Sequence, residues 1–160
     1  CVDGVPFTSA ITNPSTTAEQ VRKNPSYDAE AIANNFIKMP ETEFKESQFK
    51  RTRGLVSDTA HARLLAGWAA ASDRKTLGYT YVEMATIDLR KEIAKITIPV
   101  LVLGSTNGTR QASQKMLNDE YNLLPNKTII IAPGKHFIMY DNPLWFREQV
   151  KNFLINDLKN

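Results

Sequence analysis

The sequence predicts an α/β fold, and three observations carry that expectation. Residues 98–103 (IPVLVL) and 127–132 (KTIIIA) are short apolar runs of strand length, the pattern of strands buried on both faces in a parallel sheet. Turn chemistry ends each run, Gly104-Ser105-Thr106-Asn107-Gly108 after the first and Pro133-Gly134 after the second. A stretch with helical apolar spacing then follows each turn, so the order reads as a right-handed βαβα unit.

The elements follow in order from local chemistry. Cys1-Val2-Asp3-Gly4-Val5-Pro6-Phe7 reads as the back half of a strand running into a Gly/Pro turn, and a strand entered midway predicts a chain cut from something longer. Residues 11–17 (ITNPSTT) are turn and cap residues, and a helix over 17–23 follows. Over 27–38, Ala29, Ile32, Ala33, Phe36 and Ile37 recur at helical spacing until Pro40 stops them. Residues 41–53 are charged, with Phe44 and Phe49 as the only anchors. Ser57-Asp58-Thr59 is an N-cap cluster for a helix over 60–71 whose stripe is Leu64, Leu65, Trp68 and Ala71. Ser72-Asp73 opens another helix through Tyr79, Val82, Glu83 and Thr86, so residues 11–90 are expected to be helical. After the first apolar run, a helix over about 110–124 carries Met116, Leu117, Tyr121 and Leu124 on one side. Pro143 suits a first helical turn, and the last helix runs from it with Phe146, Val150, Phe153, Leu154 and Leu158 as its stripe.

Composition excludes several function classes. A chain of 160 residues with 42% hydrophobic and 23% charged residues has the apolar content of a folded domain, not of a disordered segment. Its longest apolar run is residues 98–103, far short of the roughly 18–20 residues of a membrane span. The lone cysteine, Cys1, supports neither an internal disulfide nor a zinc cluster, and no metal or cofactor is expected. Twenty Lys+Arg against 17 Asp+Glu leave a net charge of +3, too small and too scattered for a nucleic-acid surface. The expected partner is a small-molecule substrate, with a second copy of the chain left open.

In open parallel sheets, chemistry gathers at the loops leaving the carboxyl ends of the strands. Here those loops are residues 3–7, 104–109 and 133–140. Of the two histidines, His61 sits on a helix off its apolar stripe and reads as solvated or helix-packing. His136 follows a strand and a Pro-Gly turn and precedes Phe137-Ile138-Met139-Tyr140, a setting for a proton shuttle on a short loop beside an apolar wall, or for a histidine bonded to nearby backbone. A general-base histidine needs a carboxylate on its other nitrogen. Asp3 ends a strand at the same edge and is the candidate, although it also reads as a turn former before Gly4. Asp141 looks like the N-cap of the helix after Pro143. Asn107 stands where the other strand would present an acid, and an amide carries no charge to stabilise an imidazolium. No serine sits in a Gly-x-Ser-x-Gly elbow, Ser105 lacks the flanking pattern, and Cys1 is a poor nucleophile candidate.

Three segments, Ile96-x-Ile98-Pro99-Val100-Leu101-Val102-Leu103-Gly104, Ile129-Ile130-Ile131-Ala132-Pro133-Gly134-Lys135-His136-Phe137 and Asp141-Asn142-Pro143-x-Trp145-Phe146 with its closing helix, together resemble the C-terminal half of the α/β-hydrolase superfamily. There they match the strand before the acid, the strand before the catalytic histidine, and the last helix. Residues 1–7 resemble the strand just after the nucleophile elbow, and the helical stretch is similar to the inserted lid. The resemblance implies the C-terminal portion of an α/β-hydrolase parallel sheet with an inserted helical cap, residues 1–10 and 91–160 being core and 11–90 cap. It implies His136 as catalytic base. Asn107 occupies the usual acid position, whereas Asp3 matches the position used by haloalkane dehalogenases, where the acid ends the earlier strand. The family's elbow and oxyanion loop lie upstream of Asp3, so the missing N-terminal half is an implied partner.

The leading expectation is therefore a fragment of a serine-type hydrolase acting on an ester-like or other small acyl substrate. Two alternatives stand beside it: a member with dehalogenase or epoxide-hydrolase chemistry, and a non-catalytic interaction module.

Overall fold

Short-range capping starts most of the helices in the first half of the chain. The computed structural model describes residues 1–106 and 108–157; Asn107 and Leu158, both singled out above, lie outside the described residues. Thr17 accepts from the Gln20 N–H while the Gln20 side chain accepts from the Thr17 N–H, a capping box that opens α1 (Ala18–Lys23). Asp28, Asp58 and Asp73 each accept an N–H three residues on, opening α2 (Ala29–Ile37), α4 (Thr59–Ala70) and α5 (Arg74–Thr86). Between them, α3 (Glu41–Leu55) starts behind Pro40 with Glu41 and Glu43 in its first turn, where carboxylates oppose the helix dipole. In the packed arrangement α2 lies on α5 and α3 on α4.

The buried face of α4 differs from the stripe read in the sequence. Trp68 is 57% exposed and Leu64 44%, whereas Ala62, Leu65 and Ala66 are buried. The smaller face lets α3 approach closely: the Thr52 hydroxyl reaches the Ala62 carbonyl at 3.0 Å, and Val56, Ala62 and Leu65 form one core cluster. Close packing outweighed the larger but less complementary apolar surface.

In the second half, β1 (Val100–Gly104) and β2 (Lys127–Ile131) pair in parallel, from Val100 opposite Lys127 to Gly104 opposite Ile131, with α6 (Arg110–Glu120) as the connection. Alternation along β1 builds a core on each face. Val102 joins Leu117, Tyr121, Leu124 and Ile131 on one side. Leu101 and Leu103 join Ala132 and Ile138 on the other, covered by Trp145, Phe146, Val150 and Phe153 of α8 (Pro143–Asp157). A single helical turn, α7 (Ile138–Asp141), precedes α8. Among the described residues no helix is long and apolar enough to cross a membrane.

The expected α/β sheet, the C-terminal portion of a hydrolase sheet, is overturned. The chain is 58% helix and 7% strand, and among the described residues its sheet has two strands. The strand expected at the start of the chain shrinks to a bridge between Val2 and Leu103. Asp3 adopts φ 45, which turns the chain off the strand direction, and Pro6 has no N–H to continue a ladder. The architecture is a helical body carrying a two-stranded parallel sheet.

The segment after Asp3 is fastened by a buried acid that the sequence reading passed over. Glu120 is 2% exposed and accepts the Phe7 N–H at 3.1 Å. Burial pushes its carboxyl above the ordinary range, against the pull of the Phe7 hydrogen bond and of the Arg90 charge. With its folded pKa raised, the native state holds more protons than the unfolded chain just above the ordinary glutamate pKa, so stability falls as pH rises through that window. Glu120→Gln keeps an acceptor for Phe7 and is expected to flatten that fall in urea midpoints measured across it. Glu120→Ala strands a buried N–H and is expected to cost about 1–3 kcal/mol.

Candidate active site

Three loops meet beside the ends of β1 and β2. In the first, Asp3 is anchored by its N–H to the Leu103 carbonyl at 2.7 Å. Farther along, Tyr121 donates its hydroxyl to the Gly4 carbonyl at 3.0 Å. Burial, with the charges of Glu120 and Asp3, pushes the Tyr121 phenol up to about 12, so it remains a neutral donor at neutral pH. The second loop begins at Ser105, directly after β1. Thr106 ties it to the third through its N–H to the Gly134 carbonyl at 3.0 Å and its hydroxyl to the Ala132 carbonyl at 2.7 Å.

Gly134 holds φ 122, a backbone conformation open to glycine, and so lets the chain reverse before His136. Asp141 then clamps the histidine loop to the start of α4. It accepts the Lys135 N–H at 2.9 Å and both the N–H and the hydroxyl of Ser57 at 2.8 Å. This corrects the expectation that Asp141 caps the last helix: its oxygens are taken up by groups across the fold. The Phe137 N–H donates to the Leu55 carbonyl at 3.0 Å, and Phe137 and Tyr140 pack against the cluster between α3 and α4.

These anchors bring Asp3 and His136 together, 133 positions apart in the chain. His136 Nδ1 lies 2.8 Å from Asp3 Oδ2. Asp3 Oδ1 accepts the Ser105 N–H at 2.6 Å, and Oδ2 also accepts the Ser105 hydroxyl at 2.7 Å. Burial alone would raise the Asp3 pKa, but the hydrogen bonds from His136 and from the Ser105 backbone and hydroxyl outweigh it and hold the carboxyl below its ordinary value. An ionised carboxylate only accepts, so Nδ1 of a neutral His136 carries the proton and Nε2 keeps its lone pair. The Asp3 side chain is 15% exposed and that of His136 43%, an acid sheltered behind an accessible imidazole.

Both residues line a cavity of about 550 Å³ that α5 and the segment after it also line. The Ser105 hydroxyl is committed to Asp3 on the acid side of the pair. Cys1 Sγ lies 3.1 Å from the Tyr121 hydroxyl. His61 stays on α4 with its ring tilted against Tyr140, centroids 4.8 Å apart. Among the described residues no group of three or more His, Cys, Asp or Glu is placed to hold a metal ion. The sequence reading did not foresee that Ser57 would join Asp141; its only signal was membership of a cap cluster. Chemically the pair can accept a proton at Nε2 and stabilise the imidazolium that results. No family model, no curated protein and no solved structure matches the chain.

Proposed function

We propose that the chain carries the proton-handling half of a serine-type hydrolase acting on an ester-like or other small acyl substrate, with the nucleophile supplied by polypeptide outside these 160 residues. The observation that carries this reading is the 2.8 Å bond between His136 Nδ1 and Asp3 Oδ2 on the wall of a cavity, which leaves Nε2 as a base. The resemblance of the segments around Gly104, His136 and Pro143 to α/β-hydrolases supports it.

In this reading His136 Nε2 takes the proton of the serine hydroxyl as its oxygen bonds to the acyl carbon. The Asp3 carboxylate stabilises the imidazolium, which returns the proton to the departing alcohol oxygen as the ester bond breaks. A water is then deprotonated in the same way, attacks the acyl-enzyme, and frees the acid and the serine. Helices α1–α5 act as the lid over the cavity.

Fluorophosphonate labelling of the full-length protein tests this. The expected result is a label on a serine outside these residues that disappears in His136→Ala. No label, or a label indifferent to His136→Ala, overturns the reading.

A further inference from the structure

The rest of the cavity lining has a chemistry of its own. Ile11, Met84, Ile87 and Leu89 all line it and are 39–46% exposed, although each is a large apolar side chain. Met116 of α6 adds a further apolar surface on the same lining. Exposed apolar groups gathered around one concave site mark a binding surface, whereas scattered ones do not.

The polar groups on the lining narrow the ligand. Two carboxylates, Asp3 and Glu83, border the cavity, and among the described residues its lining includes no lysine, arginine, phenylalanine, tyrosine or tryptophan. A ligand carboxylate or phosphate would meet two acids and no cationic side chain of the always-charged kind. An aromatic ligand would find no phenyl, phenol or indole ring to stack on, only the His136 imidazole. A flexible aliphatic chain fits branched and thioether side chains, which adapt to irregular shapes. The volume of about 550 Å³ lies within the range of small-molecule sites.

We propose that this cavity binds the straight aliphatic portion of an uncharged ester or alcohol and discriminates against free carboxylates. Use of that ligand as a substrate rests on the hydrolase reading above; its binding does not. The same charges have a consequence for turnover. Hydrolysis creates a carboxylate next to Asp3 and Glu83, so the acid product is repelled from the site that bound the neutral ester.

The test uses the whole protein with 13C-labelled methionine methyl groups, titrated with n-octanol and with octanoate at neutral pH. The expected result is that octanol shifts the Met84 and Met116 methyl signals and leaves Met39 and Met139 in place. Affinity is expected to rise about fourfold per methylene from n-hexanol to n-octanol. Octanoate is expected to bind about tenfold more weakly than octanol, and Glu83→Lys, a change at an exposed position, to narrow that gap. Equal shifts at all four methionines, octanoate binding as tightly as octanol, or no shift at Met84 and Met116 overturns the proposal. Met84 signals that instead move with protein concentration alone, together with a doubled mass in sedimentation, assign the wall to a second copy and also overturn it. Octanol binding without fluorophosphonate labelling rejects the hydrolase reading alone. Labelling without octanol binding rejects the ligand class alone.

Discussion

On the proposed hydrolase reading, Asp3→Asn is expected to lower ester turnover roughly ten-thousand-fold while leaving the fold in place. The substitution suits the backbone, because asparagine tolerates the positive φ that Asp3 adopts. It also preserves the shape of the network. The amide oxygen can take the Ser105 N–H in place of Oδ1, and the amide nitrogen then occupies the Oδ2 position. There the direction of the bond to His136 reverses. An NH2 group donates, so Nδ1 must accept, the ring proton moves to Nε2, and the base is lost. The check is kcat/KM for a p-nitrophenyl ester in the full-length protein, alongside the 15N shifts of His136, which report the tautomer directly. A changed tautomer with undiminished turnover would remove His136 from the mechanism. An unchanged tautomer would mean that the 2.8 Å contact does not set the ring's protonation.

Gly78→Val is expected to cost about 3 kcal/mol of stability, the upper end of what overpacking costs in a folded interior. A Cβ at this position would stand 2.8 Å from the Ala33 carbonyl oxygen and 3.0 Å from the Ala33 Cα. Both are backbone atoms, so no rotamer change relieves the contact and α2 must move away from α5. Gly78→Ala sets two effects against each other. Alanine gains about 0.5–1 kcal/mol over glycine in a helix interior, and the clash takes back about 1–3 kcal/mol, leaving a smaller net loss. Urea unfolding of both variants checks the order. A valine variant as stable as the native chain would show that the two helices do not meet at this glycine. Because α5 also carries Met84, the valine variant is expected to weaken octanol binding while the His136 signals stay unchanged.

The helical half of the chain was legible because its signals are local. Thr17, Asp58 and Asp73 each bond an N–H three residues away, so the cap and the helix it opens fall within one short stretch of sequence. The two apolar runs were legible for the same reason, and they do pair, in register from Val100 to Gly104. How much sheet surrounds them was not legible, and the α/β expectation failed there. A strand exists only with a partner, and the positive φ at Asp3 reduced the third candidate to one bridge. The face that α4 buries is not set by side-chain size alone, because the neighbouring helix decides which side chains fit. Complementarity with α3 selected Ala62 and Leu65 over Trp68.

By itself, the sequence determined which caps open α1, α4 and α5, which two runs extend, and that His136 lies in the loop after the second of them. Those features depend on contacts a few residues long and on side-chain chemistry that is the same in any fold. Only the tertiary structure decided that Asp3 faces Nδ1 of His136, that Ser105 bonds Asp3, and that Asp141 clamps Ser57 across 84 positions. It also decided that Glu120 lies buried at the Phe7 N–H and that exposed apolar side chains share a cavity with the dyad. Groups so far apart in the chain leave no spacing to read, because their meeting depends on how all the intervening helices pack.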